Sequence, residues 1–362
     1  MDQAAKLMIL ENAPLAPCTT LGVGGPARFL IKAATEEQVL EGLQFARNLG
    51  CPVFVLGGGS NIVVSDSGFP GLVIKMELSG IKEEDHGRIS AAAGEEWDRF
   101  VSHSVERNLA GVECLSGIPG TVGGTPVQNV GAYGEEVSDV IVGVRVLDRD
   151  SCSIEDLSCT ECRFAYRASI FNSVFKDRYI VLRVDFALRP NGEPRITYQD
   201  LQRHFDGKTT FPTLGGVREA VLRIRKSKGM VLQAQDPDSR SAGSFFKNPV
   251  LSPENASVIE ERARAQGLLK QGERIPRFTA PSGQEKLPAA WLLERAGFSR
   301  GHRSGRAGIS TKHSLALVNC GGATAGEILD LMQSIQARVR TLFGIELQPE
   351  PVFVGFNTTR VF

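Results

Sequence analysis

Two loops in this chain concentrate glycine to a degree that no regular element tolerates. Leu56-Gly-Gly-Gly-Ser-Asn61 follows directly on a short apolar run, Pro52-Val-Phe-Val-Leu56. The second, Ser116-Gly-Ile-Pro-Gly-Thr-Val-Gly-Gly-Thr-Pro-Val-Gln-Asn-Val-Gly-Ala-Tyr-Gly134, holds six glycines and two prolines. Glycine weakens the interior of a helix or strand, so both stretches read as shaped loops. Consecutive glycines after a strand let the backbone take positive φ and approach a ligand closely. Their N–H groups can then line an anion-binding concavity without a lysine. Two such loops in one half of a chain suit a dinucleotide carrying a pyrophosphate, although either alone reads equally well as a tight turn. Neither fits the G-x-G-x-x-G turn of a Rossmann site, and Gly22-Val-Gly24-Gly25 lacks the flanking βαβ unit. A phosphate-binding G-x-x-x-x-G-K-[ST] loop does not occur.

At 362 residues the chain is long enough for two or three domains. Lys plus Arg and Asp plus Glu both number 41, so no global charge argues for nucleic acid or an anionic membrane. Any phosphate binding must come from local loops and a few placed cations. The N-terminus lacks a basic segment followed by an apolar run, and no stretch is long and apolar enough to span a bilayer. The seven cysteines are scattered. Cys159-Thr-Glu-Cys162 has C-x-x-C spacing near Cys152, but no second pair completes a zinc site, so they read as reduced thiols of a cytosolic protein. The five histidines show no metal-binding grouping and read mostly as surface residues; no metal is expected.

Helix and strand alternate through the first part. Thr35-Glu-Glu-Gln38 is a capping box, and Val39, Leu40, Leu43 and Ala46 continue the helical spacing until Gly50. Ile62–Val64 and Gly71–Lys75 read as strands. A second unit begins near Ile89, with a helix over Trp97–Arg107 and strands over Val140–Leu147 and Tyr179–Leu188. The last third differs: Ser252-Pro253-Glu254 starts a helix, Leu315–Val318 is a strand, and Thr324-Ala-Gly-Glu327 is a capping box ahead of a long amphipathic run. It reads as a separate α+β domain over about 229–346.

Three further places can carry chemistry. In Arg163-Phe-Ala-Tyr-Arg-Ala-Ser-Ile-Phe171, arginines interleave with aromatic residues, as in a carboxylate clamp or, as readily, a solvated turn. In Ser241-Ala-Gly-Ser-Phe-Phe-Lys-Asn-Pro249, Gly243 opens the backbone, Phe245 and Phe246 exclude water, and Asn248 can donate a hydrogen bond. Apolar walls allow the Ser244 hydroxyl to donate a proton, but on these residues alone a buried structural serine is the leading reading. No G-x-S-x-G elbow supports a hydrolase. In Leu347-Gln-Pro-Glu-Pro351, two prolines fix the direction of Glu350, or simply end an exposed turn.

The order of these segments is more specific than any one of them. Together with Cys162-Arg-Phe-Ala-Tyr-Arg167 and Ala290-Trp-Leu-Leu293, they make the chain resemble the UDP-N-acetylenolpyruvoylglucosamine reductase family (UDP-N-acetylmuramate dehydrogenase, MurB) of bacterial peptidoglycan synthesis. The resemblance spans about residues 20–355. It implies an α+β fold: a two-subdomain FAD-binding module of the vanillyl-alcohol-oxidase (PCMH) type plus a separate α+β substrate-binding domain. The implied division is 1–85 (joined by 347–362), 86–228 with a type I insertion, and 229–346. It also implies FAD and NADPH as cofactors, a small-molecule substrate, a cytoplasmic location, a monomer, and neither nucleic acid nor membrane as partner.

Carried over residue by residue, FAD contacts fall on Gly57, Gly58, Gly59, Ser60 and Asn61 in the first loop. In the second they fall on Gly117, Pro119, Gly120, Thr121, Gly123 and Gly124, then on Asn129, Gly131, Ala132 and Tyr133. Tyr166, Tyr198 of the insertion, Lys228, Asn248 and Glu294 match substrate-binding positions. The family mechanism implies hydride transfer from flavin N5 to the enolpyruvyl C3 and a proton from Ser244 to C2. Arg167 and Glu350 would stabilise the developing enolate, the glutamate as a protonated donor. A serine hydroxyl is a weak acid, so this step asks for a relay. Two departures stand out: Thr19-Thr20-Leu21-Gly22 where the family has Asn-Thr before Phe-Gly, and Pro349-Glu-Pro-Val352 where it often has Pro-Glu-Val-Arg. The competing readings are a flavin oxidase acting on an alcohol and a nucleotide-sugar-binding protein without catalysis.

Overall fold

Thr35 opens the first helix, Glu36–Asn48, by accepting the N–H of Gln38 at its hydroxyl. Gln38 Oε1 reaches back to the N–H of Ala34 at 2.8 Å, one residue beyond the reciprocal partner of a capping box. In this computed structural model, which describes residues 7–207 and 211–357, the chain forms two units. Residues 1–6 and the last five residues of the 347–362 segment lie outside the described residues. The first unit comprises residues up to Ala13, 26–59 and 69–231; the second comprises 14–25, 60–68 and 232 onward.

The first unit holds two sheets. One has the strand order Leu10–Pro14, Pro26–Ala33, Phe69–Met76, Val53–Leu56, with the last three parallel. The helix Glu36–Asn48 buries Val39, Leu43 and Ala46. Gly42 lets it press close, because a Cβ there would lie 2.3 Å from Ile31 Cδ1. The other sheet is antiparallel, in the order Ile154–Ser158, Ile141–Asp148, Tyr179–Ala187, Arg88–Ala92, Ile81–Glu83. The helix Trp97–Glu106 lies in the same core, where the Phe100 and Phe186 rings sit 4.5 Å apart. Such a contact stabilises beyond its area, and truncating either ring should cost about 3–5 kcal/mol.

The second unit packs helices Pro253–Ala265, Ala289–Arg295 and Ala325–Phe343 around one apolar core. Ser252 caps the first, and Thr324 with Glu327 forms a full capping box on the last. Short antiparallel strands Arg303–Ser304, Ala307–Ile309 and Leu317–Asn319 form a sheet. The strand Val352–Val354 pairs in parallel with Ile62–Val64, which draws residues 60–68 into this unit. The division therefore differs from the three expected parts: pairing between distant strands, rather than position along the chain, decides where residues 14–25 and 60–68 belong. Thr19 and Thr20, at the first departure, are anchored here, with Gly22 N–H donating to Thr19 Oγ1 at 3.0 Å and Thr20 Oγ1 donating to Ser241 O at 2.6 Å.

Among the carboxyl groups buried in the first unit, Glu113 and Glu135 lie together. Glu113 accepts from the N–H groups of Gly111 and Arg195, and Glu135 Oε2 accepts from the N–H of Cys114 at 2.9 Å. Glu135 Oε1 has no hydrogen-bond partner. Burial, with the Glu113 charge beside it, pushes the Glu135 carboxyl up to about 8. A raised carboxyl binds its proton more tightly when folded. Its contribution to stability is therefore complete below the unfolded value of 4.5 and is lost as pH rises through about 8. Glu135→Gln should accordingly melt close to the wild type near pH 4.5 and above it by a few kcal/mol beyond pH 8. Parallel melting curves for the two proteins would refute this.

Candidate active site

The glycine loops meet within the first unit. A Cβ on Gly58 would fall 2.6 Å from Gly120 Cα, and one on Gly57 would fall 2.7 Å from Thr121 Oγ1. At Gly58 backbone therefore lies against backbone, a spacing that only glycine allows, while Gly57 lies against the Thr121 hydroxyl. Of the run 57–59, only Gly59 takes positive φ, at +64°. For Gly57 and Gly58, close approach rather than the left-handed conformation is what excludes a side chain.

The second loop is laid along residues 93–98. Trp97 N–H donates to Gly120 O, Val122 N–H to Glu95 O and Gly123 N–H to Ala93 O. The Trp97 indole donates to Leu115 O at 3.0 Å. Asp98 accepts the N–H of Gly117 at 2.6 Å and is gripped by both guanidinium nitrogens of Arg218. Burial would raise the Asp98 carboxyl, but the Arg218 and Gly117 hydrogen bonds outweigh it and hold it below the ordinary range. A Cβ on Gly124, by contrast, would meet nothing within 4 Å. Two fixed glycine backbones bordering open space make a cradle that fits the pyrophosphate of a dinucleotide.

The rest of the loop positions Arg167. Asn129 is buried, and its amide donates to Glu136 and Ala165 O and accepts from Ser138 N–H, so its side chain holds the loop in shape. Arg167 Nη2 donates to Gly131 O at 2.8 Å and Nη1 to Asn129 O at 3.4 Å. Its guanidinium carbon lies 5.4 Å from the centre of the Tyr166 ring. Asn129, Tyr133 and Arg167 all take positive φ (+46°, +50° and +53°). Non-glycine residues adopt that region at a local energetic penalty, and such residues cluster at functional sites. Arg163, the other arginine of its segment, is exposed.

Three further candidates converge in the same unit. The Tyr133 and Tyr198 rings meet edge to face at 5.3 Å, and Lys228 Nζ lies 5.9 Å from the centre of the Tyr133 ring. Asp200, two residues beyond Tyr198, pairs with Lys228 Nζ at 2.8 Å. Burial would lower the lysine, but the Asp200 hydrogen bond outweighs it and holds the ammonium above its usual value. Tyr198 is 45% exposed. Pro119 and Ala132 are half-buried, and Ala132 pairs with Glu135 in a two-residue ladder.

The second unit assembles the remaining candidates around Ser244. Gly243 turns the chain at φ +75°, and Phe245 and Phe246 are buried on the other side. Phe245 N–H donates to Leu315 O at 2.8 Å and Phe245 O accepts from Glu350 N–H at 2.9 Å. Glu350 is thus tied to the residue that follows Ser244. Asn61 locks the other side of Glu350: its Nδ2 donates to Glu350 O at 3.3 Å and its carbonyl accepts from Val352 N–H at 2.9 Å. Asn61, expected as a cofactor contact, and its neighbour Ser60 both belong to this second unit. Asn248 Oδ1 accepts the first N–H of the helix Ala289–Arg295, and Glu294 on that helix bonds the Ser314 hydroxyl through Oε1.

One residue corrects the sequence reading. Four of the five histidines are half-buried, His86 being the exposed one, and His313 Nε2 lies 3.0 Å from Ser244 Oγ. The signal was the polar run Ser310-Thr-Lys-His-Ser314, set between apolar Ala307–Ile309 and Leu315–Val318.

The close approach of the glycine loops sets an expectation. Gly58→Val should force the loops apart, destabilise the protein by about 1–3 kcal/mol, and lower the flavin carried per mole of purified protein. Gly124→Ala should leave the melting of the apoprotein unchanged. Full flavin content at the wild-type melting temperature in Gly58→Val would refute the reading.

Comparison with known proteins agrees with this geometry. A family model described as UDP-N-acetylenolpyruvoylglucosamine reductase, C-terminal domain, matches residues 235–354, and one described as FAD binding domain matches residues 27–156. The UDP-N-acetylenolpyruvoylglucosamine reductase of Thermobifida fusca is 45% identical over 351 residues, covering 95% of this chain and 98% of the relative. That of Streptomyces coelicolor is 44% identical, covering 96% of this chain and 90% of the relative. The crystal structure of UDP-N-acetylenolpyruvylglucosamine reductase (MurB) from Thermus caldophilus superposes with a TM-score of 0.63 at 26% identity, covering 96% of this chain and 99% of that one. With a relative this similar over nearly its whole length, and an FAD-binding module joined to a separate C-terminal domain, the chain belongs to the UDP-N-acetylenolpyruvoylglucosamine reductase family.

Proposed function

We propose that this protein reduces UDP-N-acetylglucosamine enolpyruvate to UDP-N-acetylmuramate in peptidoglycan synthesis, with NADPH as reductant and FAD as the bound cofactor. The observation that carries this reading is the backbone hydrogen bond from Glu350 N–H to Phe245 O, at 2.9 Å, which brings together the segments that carry the Ser244 hydroxyl and the Glu350 carboxyl, with Phe245 and Phe246 buried behind them. FAD, when held by the glycine loops, would supply the redox chemistry that couples oxidation of NADPH to reduction of the enolpyruvyl group.

The side chains of this protein supply the rest. Ser244 gives its hydroxyl proton to C2 as C3 becomes reduced. Arg167, preset by the Gly131 and Asn129 carbonyls, opposes the negative charge that develops on the enolate and carboxylate. Glu350 is directed by the prolines on either side and by the backbone bonds to Phe245 and Asn61. A carboxyl held in its protonated form there would donate a hydrogen bond to the same developing charge. Lys228, Tyr198 and Tyr133 form a cationic, aromatic patch of the kind that recognises a diphosphate. Tyr166, Asn248 and Glu294 would add polar contacts to the sugar and carboxylate. The first glycine run and the loop around Gly117–Gly124 would hold the FAD pyrophosphate.

Flavin absorbance tests this directly. NADPH should bleach the yellow oxidised protein, and the enolpyruvyl nucleotide should restore the colour. Bleaching by a simple alcohol, or no bleaching by NADPH, would sink the reading. Ser244→Ala should keep the NADPH half-reaction and slow the nucleotide half-reaction by about 10²–10⁴-fold. Loss of both half-reactions would remove Ser244 as the proton donor.

A further inference from the structure

Within the reaction proposed above, Ser244 is the group whose chemistry is least complete. An aliphatic hydroxyl parts with its proton reluctantly, and the oxygen must regain one in every turnover. His313 Nε2, 3.0 Å from Ser244 Oγ, is within hydrogen-bond distance for proton exchange.

The loop that carries His313 is fixed at nearly every residue. Buried Ser310 accepts at its hydroxyl the N–H groups of both Lys312 and His313, at 3.0 and 3.2 Å. Thr311 bonds Asp238 through its N–H at 2.9 Å and its hydroxyl at 2.6 Å. Lys312 Nζ is held by Asp236 at 2.7 Å, which offsets its charge beside the imidazole. His313 O accepts from Ala316 N–H at 3.1 Å, and Ser314 is tied to Glu294. On the serine side, Phe245 N–H donates to Leu315 O, so the two backbones are joined one residue beyond Ser244 and two beyond His313. A surface histidine meeting a serine by chance would not need such a frame; a proton path does, because transfer rates fall steeply with misplacement.

We propose that His313 is the positioning residue that resupplies the proton of Ser244. As the Ser244 O–H bond breaks and the C2–H bond of the substrate forms, the Nε2–H bond of the His313 imidazolium breaks and its proton rebuilds the serine O–H. Ser244 ends the step unchanged, and the neutral imidazole left behind takes a proton from solvent to return to the imidazolium. The electrons of the reduction travel with the hydride, so the pair moves protons only. His313 acts through Ser244 and not on the substrate. This inference rests on the reaction proposed above.

The test uses full-length, flavin-loaded His313→Gln and His313→Ala, followed through the two half-reactions separately. Flavin reduction by NADPH should stay within about twofold of wild type, which also reports intact folding. Reoxidation by the enolpyruvyl nucleotide should slow by about a hundredfold in both variants, with little change in nucleotide affinity. Glutamine can still hold the serine through a hydrogen bond but cannot pass a proton, so its failure separates supply from anchoring. Added imidazole should restore part of the His313→Ala rate and none of the Ser244→Ala rate. A readout without turnover is the ¹⁵N resonance of His313 Nε2, which should move in Ser244→Ala while the His302 resonances stay in place. Near-wild-type reoxidation in His313→Gln, or an Nε2 resonance indifferent to Ser244, would overturn the proposal. Wild-type enzyme that the enolpyruvyl nucleotide cannot reoxidise would instead overturn the reaction on which it rests, and the resonance would still decide whether the pair exists.

Discussion

Two glycine backbones, at 58 and 120, lie so close that one methyl group would not fit between them. Much of the first unit is arranged around that constraint. The first loop can reach it because a parallel strand, Val53–Leu56, ends immediately before the glycines. The second can reach it because residues 93–98 and the Asp98–Arg218 pair hold its start in place. A cofactor cradle made this way depends on main-chain N–H groups, whose positions are set by packing and not by rotamer choice. That explains why a chain with balanced charge can still belong to a nucleotide-binding family: anion binding is delegated to backbone geometry.

The second unit solves a different problem with the same economy of parts. Its candidate site residues come from segments far apart in sequence, near 61, 244, 313 and 350, and short hydrogen bonds collect them. The N–H and carbonyl of one residue, Phe245, tie Leu315 to one side and Glu350 to the other. The Phe245 and Phe246 side chains, both buried, fill the core behind it. Packing thus decides where Ser244 can be, and the hydroxyl has little freedom left. Positioning by backbone is less vulnerable to side-chain disorder than positioning by long polar side chains.

What the sequence made legible were elements whose cause is local. The caps at Thr35, Ser252 and Thr324 marked helix starts that form where expected, and the alternation at Val184, Phe186 and Leu188 marked a real strand. The helix Leu214–Ser227 was not read, because Gly215 and Gly216 sit in its first turn, where the Thr213 cap rather than helix propensity sustains it. The family and the blocks around Arg167, Ser244 and Glu350 were legible because their residue order is distinctive. His313 was not, since its role exists only through a contact across sixty-nine residues, as the spacing of Ser244 and His313 shows. The compact units are divided differently from the expected domains for the same reason. The pairing of Ile62–Val64 with Val352–Val354 draws an early segment into the later unit, and nothing near either strand announces its partner.

Arg167 sits at φ +53°, in a backbone region that glycine or asparagine would occupy more comfortably. An arginine kept there is evidence that its forked donors to Gly131 and Asn129 matter more than local ease. The consequence concerns how this enzyme can be altered. Selection for heat resistance alone would drift toward glycine at this position and discard the guanidinium along the way. Under the role proposed for Arg167, thermal robustness and turnover point in opposite directions at this position, and a screen that reads only one of them will misjudge the other.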